Sequence, residues 1–111
     1  MNFGGNIPAV EPTAVPEDGF LLDVREQDEW DAGHAPSAIH IPLGSLADRA
    51  QEIPTDQDVY VVCRSGGRSA RATQALNQAG WQAHNVSGGM QAWEAAERPM
   101  VSASGGPASV A

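Results

Sequence analysis

The chain has 111 residues, too few for a second core, with an ordinary globular balance of 41% hydrophobic and 18% charged residues. Its net charge is −8 and every basic residue is an arginine, which argues against nucleic acid or an anionic membrane surface as partner, since both need a basic face. A single cysteine excludes an internal disulfide and a resolving thiol in the same chain, and no apolar run approaches the roughly 20 residues of a membrane span.

The first residues, MNFGGNIPAVEP, lack the basic start and apolar stretch of a signal peptide, and a lone free thiol suits a reducing compartment, so the expected location is the cytoplasm. PTAVPEDG (12–19) is turn-rich, and Pro16 discourages a long helix. FLLDV (20–24) reads as a buried strand. REQDEWDAG (25–33) suits one or two helical turns stopped by Gly33, and SAIHIP (37–42) a short strand ended by Pro42. In LGSLADRAQEI (43–53), Leu43, Leu46, Ala47 and Ala50 recur at helical spacing, and PTDQD follows as a turn.

VYVVC (59–63) is the strongest strand signal, β-branched and continuously apolar, as a central parallel strand should be. Behind a glycine loop, residues 68–80 carry Ala72, Ala75, Leu76 and Ala79 on one helical face, with Gly80 where a helix C-terminal glycine belongs. WQAHNV (81–86) is a short strand, and SGGMQAWEAAE (87–97) a short helix with Met90, Trp93 and Ala96 at intervals of three. The end, from residue 100 to 111, is small and polar, and is expected to be a flexible tail after a domain of residues 7–99. Strands alternating with helices indicate an α/β domain with a mostly parallel sheet, whose ligands bind beyond the carboxyl ends of the strands.

Cys63 stands at such an end. Residues 1–58 carry twelve acids against two arginines, whereas residues 59–93 carry Arg64, Arg68 and Arg71 and no acid. The loop Cys63-Arg64-Ser65-Gly66-Gly67-Arg68 can curl through its glycines and aim N–H groups inward, and the helix behind it adds its N-terminal dipole. A thiol held there deprotonates more readily than a free one, and the thiolate is the nucleophile. Ser65 and Ser69 offer hydroxyl hydrogen bonds or, equally, turn and helix-start caps. Cysteine phosphatases wrap a phosphate with Cys-x5-Arg; here Cys63 and Arg68 are one residue closer. That shorter ring favours a smaller species, such as a sulfur atom carried on Cys63.

The loop and its flanks resemble the rhodanese family of sulfurtransferases. LLDVREQDEWDAGHAPSAIHIPL (21–43) is similar to that family's N-terminal signature, CRSGGRSA (63–70) to its active loop, and NVSGGMQAW (85–93) to its C-terminal signature. The resemblance implies a three-layer α/β fold, with a mostly parallel sheet of about five short strands flanked by helices on both faces. It implies a thiosulfate sulfurtransferase in which Cys63 takes sulfane sulfur as a persulfide. A small anionic donor would meet Arg64 and Arg68, with Arg68 ranked first because it closes the loop; cyanide, a thiol or a protein would accept the sulfur. Asp23 and Arg25 match the family's Asp-x-Arg and, with His34, are expected to support the structure around the site; Gly88 and Gly89 shape the last turn. His34, His40 and His84 with one cysteine make no zinc pattern, so neither metal nor cofactor is expected. A persulfide carrier for a dedicated partner is the alternative, and a cysteine phosphatase or arsenate reductase a more distant one.

Overall fold

The computed structural model describes residues 7–111. Its elements are β1 (Ala9–Val10), β2 (Phe20–Asp23), α1 (Gln27–Ala32), β3 (Ile39–His40), β4 (Asp58–Val62), α2 (Gly67–Gln78), β5 (Gln82–Val86) and α3 (Gly89–Ala95), with single 3-10 turns at Pro12–Ala14, Leu43–Ser45 and Ala50–Glu52. The five strands form one sheet in the order β1-β5-β4-β2-β3, and every neighbouring pair is parallel. β4 is therefore central, with β2 on one side and β5 on the other.

Alternation along the strands divides the core into two layers. Leu22, Val59, Val61 and Cys63 face α2, where Ala72 and Leu76 cover them together with Leu46 and Ile53. Leu21, Val62 and Val86 face the opposite side, covered by Met90 and Trp93 of α3 and by Val15. Buried on both faces, β4 needs an apolar residue at nearly every position, which is why its sequence is a continuous apolar run. Among the described residues, no helix is long and apolar enough to cross a membrane.

Two segments differ from the sequence reading. Residues 43–53 form two 3-10 turns rather than a helix, closed by Ser45 N–H to Pro42 O at 2.8 Å and Ile53 N–H to Ala50 O at 3.0 Å. Gly44, Ser45 and Asp48 are poor helix formers, and so short a segment does not nucleate readily. Leu43, Leu46, Ala47 and Ala50 nevertheless share one side, lining an apolar groove against α2. β1, only two residues long, carries too little pattern to be read as a strand.

Residues 100–111 lie against α1 and the loop behind it. His34 and Val101 exchange backbone hydrogen bonds at 2.9 and 2.8 Å, and the Ser109 N–H donates to Ala32 O at 3.0 Å. Met100 and Val110 pack against the second core layer, so main-chain pairing and two apolar anchors hold a segment whose composition is otherwise small and polar.

Candidate active site

β4 delivers Cys63 to the carboxyl edge of the sheet, where the chain turns sharply into α2. Gly66 makes the turn with φ +117°, a left-handed conformation that other residues adopt only at a cost. The curl brings three donors onto one sulfur. Cys63 Sγ accepts from the Gly66 N–H at 3.1 Å, from the Ser69 N–H at 3.4 Å, and lies 3.3 Å from Ser69 Oγ. Burial pushes the thiol up, but the Ser69 hydroxyl and the N–H groups of Ser69, Gly66 and Ser65 outweigh it, and the net effect holds Cys63 below its ordinary value.

The loop hangs from α3. The Met90 N–H donates to Cys63 O at 2.7 Å and the Gln91 N–H to Arg64 O at 3.0 Å. This close approach requires Gly89, whose φ is +60° and where an added Cβ would lie 2.4 Å from Cys63 O. Gly89 thus admits the loop against the last turn, whereas Gly88, with φ +75°, leads into α3 where an added Cβ would meet Ala92 Cβ. Gly67 opens α2 in free space.

The arginines are not bare cations around the sulfur. Arg68 forms a two-pronged ion pair with Glu29 of α1, Nη1 to Oε1 at 2.7 Å and Nη2 to Oε2 at 2.8 Å. The Arg68 guanidinium holds the Glu29 carboxyl down to about 2, against its partial burial, and Glu29 in turn raises Arg68. Glu29 Oε1 also accepts the Glu26 N–H at 2.9 Å, capping α1. Arg64 is exposed at the rim, where its Nε donates to Ala111 O at 2.9 Å. Ser65 is exposed beside it. Although acids and bases are segregated along the chain, folding sets an acid from the first half against an arginine of the second.

Asp23 and Arg25 are fully buried at the end of β2. Arg25 Nε lies 2.9 and 3.1 Å from the two Asp23 carboxylate oxygens, and Nη2 donates to Asp23 Oδ2 at 2.7 Å and to Gly33 O at 2.8 Å, tying the strand end to the turn behind α1. His34 and His40 both stack on Trp30, at centroid separations of 3.6 and 4.8 Å. His34 Nδ1 lies 2.7 Å from Trp30 O, and His40 Nε2 the same distance from Arg25 O. Among the described residues, no group of three or more His, Cys, Asp or Glu side chains is placed to hold a metal ion. Sequence reasoning missed Glu29 and also Asn85, whose side chain sits behind Ser69. The placement of Asn85 near the carboxyl end of a strand beside β4 was the available signal.

A sequence model of the rhodanese-like domain matches residues 11–96. The chain belongs to the rhodanese-like domain family. A "Sulfurtransferase" of Allochromatium vinosum is 39% identical over 90 residues, covering 80% of this chain and 84% of that protein. YtwF of Bacillus subtilis (strain 168), named as a candidate sulfurtransferase, is 36% identical over 89 residues, covering 80% of this chain and 86% of its own length. Among solved structures, a rhodanese-related protein from Thermoplasma volcanium superposes with a TM-score of 0.80 at 31% identity, covering 85% of this chain and 97% of that one.

Proposed function

We propose that this rhodanese-like domain is a sulfurtransferase that moves sulfane sulfur from thiosulfate, or a donor of the same kind, to cyanide or a thiol through a persulfide on Cys63. The observation that carries the reading is the pair of backbone N–H groups, Gly66 at the turn and Ser69 in the first turn of α2, that close a partial ring on Cys63 Sγ. Such a ring stabilises a thiolate, and then the anionic outer sulfur of a persulfide, without a neighbouring base. The names of the relatives support sulfur transfer as the class of reaction.

In the first step the Cys63 thiolate attacks the outer sulfur of thiosulfate. A new S–S bond forms, the donor's own S–S bond breaks, and its electron pair leaves with sulfite. In the second step an acceptor attacks the terminal sulfur and the pair returns to Cys63 as thiolate. Atoms and electrons balance without a cofactor. Arg64, exposed at the rim, meets the sulfonate end of the donor, while Arg68 acts from behind, holding the loop to α1 through Glu29. The loop from Cys63 to Arg68 is one residue shorter than the Cys-x5-Arg loop that wraps a phosphate, which favours a single sulfur atom and sets the phosphatase reading below this one.

Thiocyanate formation from thiosulfate and cyanide tests the proposal. Turnover that depends on both reagents is expected. Absence of thiocyanate, together with no sulfur uptake from thiosulfate, polysulfide or a small-molecule persulfide, would overturn it.

A further inference from the structure

The Ser69 hydroxyl is buried and has three acceptors within reach but a single proton to give. Its Oγ lies 3.3 Å from Cys63 Sγ, 3.2 Å from Gly66 O and only 2.6 Å from Asn85 Oδ1. The shortest contact is to the amide oxygen. The Asn85 amide is oriented by its other end, where Nδ2 donates to Gly66 O at 3.3 Å; turned over, it would set oxygen against oxygen. Gly66 O is further engaged by the Ala70 N–H at 3.0 Å, so it competes weakly for the hydroxyl.

We propose that Asn85 is a positioning residue for sulfur transfer, which competes with Cys63 for the Ser69 hydroxyl proton, weakening that contact and leaving the backbone N–H groups as the sulfur's fixed donors. This rests on the sulfurtransferase reading and adds to it a residue on β5 that acts through Ser69. The consequence is chemical. A hydroxyl given firmly to Sγ stabilises the thiolate most, because the charge sits on Sγ there; in the persulfide the charge has moved to the outer sulfur. Such a bond makes the thiolate a weaker nucleophile, since reactivity falls as the thiol becomes more acidic. With the hydroxyl shared towards Asn85, Cys63 takes only part of the stabilisation that Ser69 Oγ could give and keeps its reactivity.

The charged groups around this thiol do not substitute for that control. Arg68 of α2 is paired with Glu29 of α1, Arg64 of the loop points to Ala111 O, and Asp23 and Arg25 at the end of β2 pair with each other. β5 contributes the neutral amide, and the turn before α3 contributes glycine backbone.

The test replaces the acceptor with an apolar side chain of similar size, Asn85→Leu, so that no water takes its place; Asn85→Val serves if leucine does not fold. Thiolate absorbance against pH, read without any sulfur donor, gives the Cys63 titration. The freed hydroxyl turns to the thiolate, and the midpoint is expected to fall by about one pH unit. Sulfur uptake by the fully ionised enzyme is then expected to slow about threefold. In a Ser69→Ala background the same Asn85 substitution should leave the midpoint unmoved, a coupling that a merely structural role would not produce. A folded Asn85 variant whose midpoint is unchanged or higher, or an equal fall in the Ser69→Ala background, overturns the proposal. Because the titration needs no transfer reaction, failure here is distinct from a failure to take up sulfur.

Discussion

Replacing Glu29 by glutamine removes one charge from the Arg68 pair while keeping a side-chain oxygen for the Glu26 N–H. The carboxyl is held at about 2 rather than the ordinary 4.5, which unscreened would correspond to about 3.4 kcal/mol. The two side chains retain 29% and 15% exposure, so solvent screens part of this, and about 1–2 kcal/mol is the expected loss at neutral pH. A carboxyl whose folded value is depressed stabilises fully above its unfolded value and loses that contribution as pH falls toward the folded one. The stability gap between wild type and Glu29→Gln should therefore be constant above about pH 5, shrink below the ordinary 4.5, and approach zero near 2. Urea melts at pH 7, 5, 4 and 3, with Arg68→Met and the double variant to isolate the pair, measure it. A gap that widens with acid, or a coupling indistinguishable from zero at pH 7, would show that the Glu29–Arg68 pair does not stabilise the fold.

Two further substitutions probe the frame of the site. Asp23→Ala leaves the Arg25 guanidinium buried without its partner and should cost about 3–5 kcal/mol in urea unfolding, whereas replacing both residues with apolar side chains should cost less than the single change. Gly89→Ala places a Cβ 2.4 Å from Cys63 O at a φ of +60°, and is expected to lower stability by about 1–3 kcal/mol and to cut sulfur uptake at least tenfold by displacing the loop.

The parts legible in the sequence are those written locally. β4 and its terminal cysteine follow from one apolar run, the curl of the loop from its glycines, and α2 from an alanine-leucine face closed by Gly80. The parts that were not legible depend on pairs remote in sequence. Glu29 meets Arg68 across 39 positions, and no local pattern in either segment marks the other. Asn85 likewise reaches Ser69 only because β5 lies beside β4. Residues 43–53 show a different limit: apolar spacing identified the shared side correctly, but a side can be shared by 3-10 turns as well as by a helix. Composition alone reads residues 100–111 as a flexible tail, while their docking depends on backbone pairing at His34 and Ala32.

In the proposed mechanism the sulfur atom in transit is bonded to Cys63. Intact mass measured after incubation with thiosulfate and removal of excess donor addresses it directly, with Cys63→Ser as the comparison. A gain of about 32 Da, one sulfur atom, is expected in the wild-type chain, reversed by cyanide and absent from the serine variant. The same gain in Cys63→Ser, or none in the wild type with any sulfane donor, would contradict it.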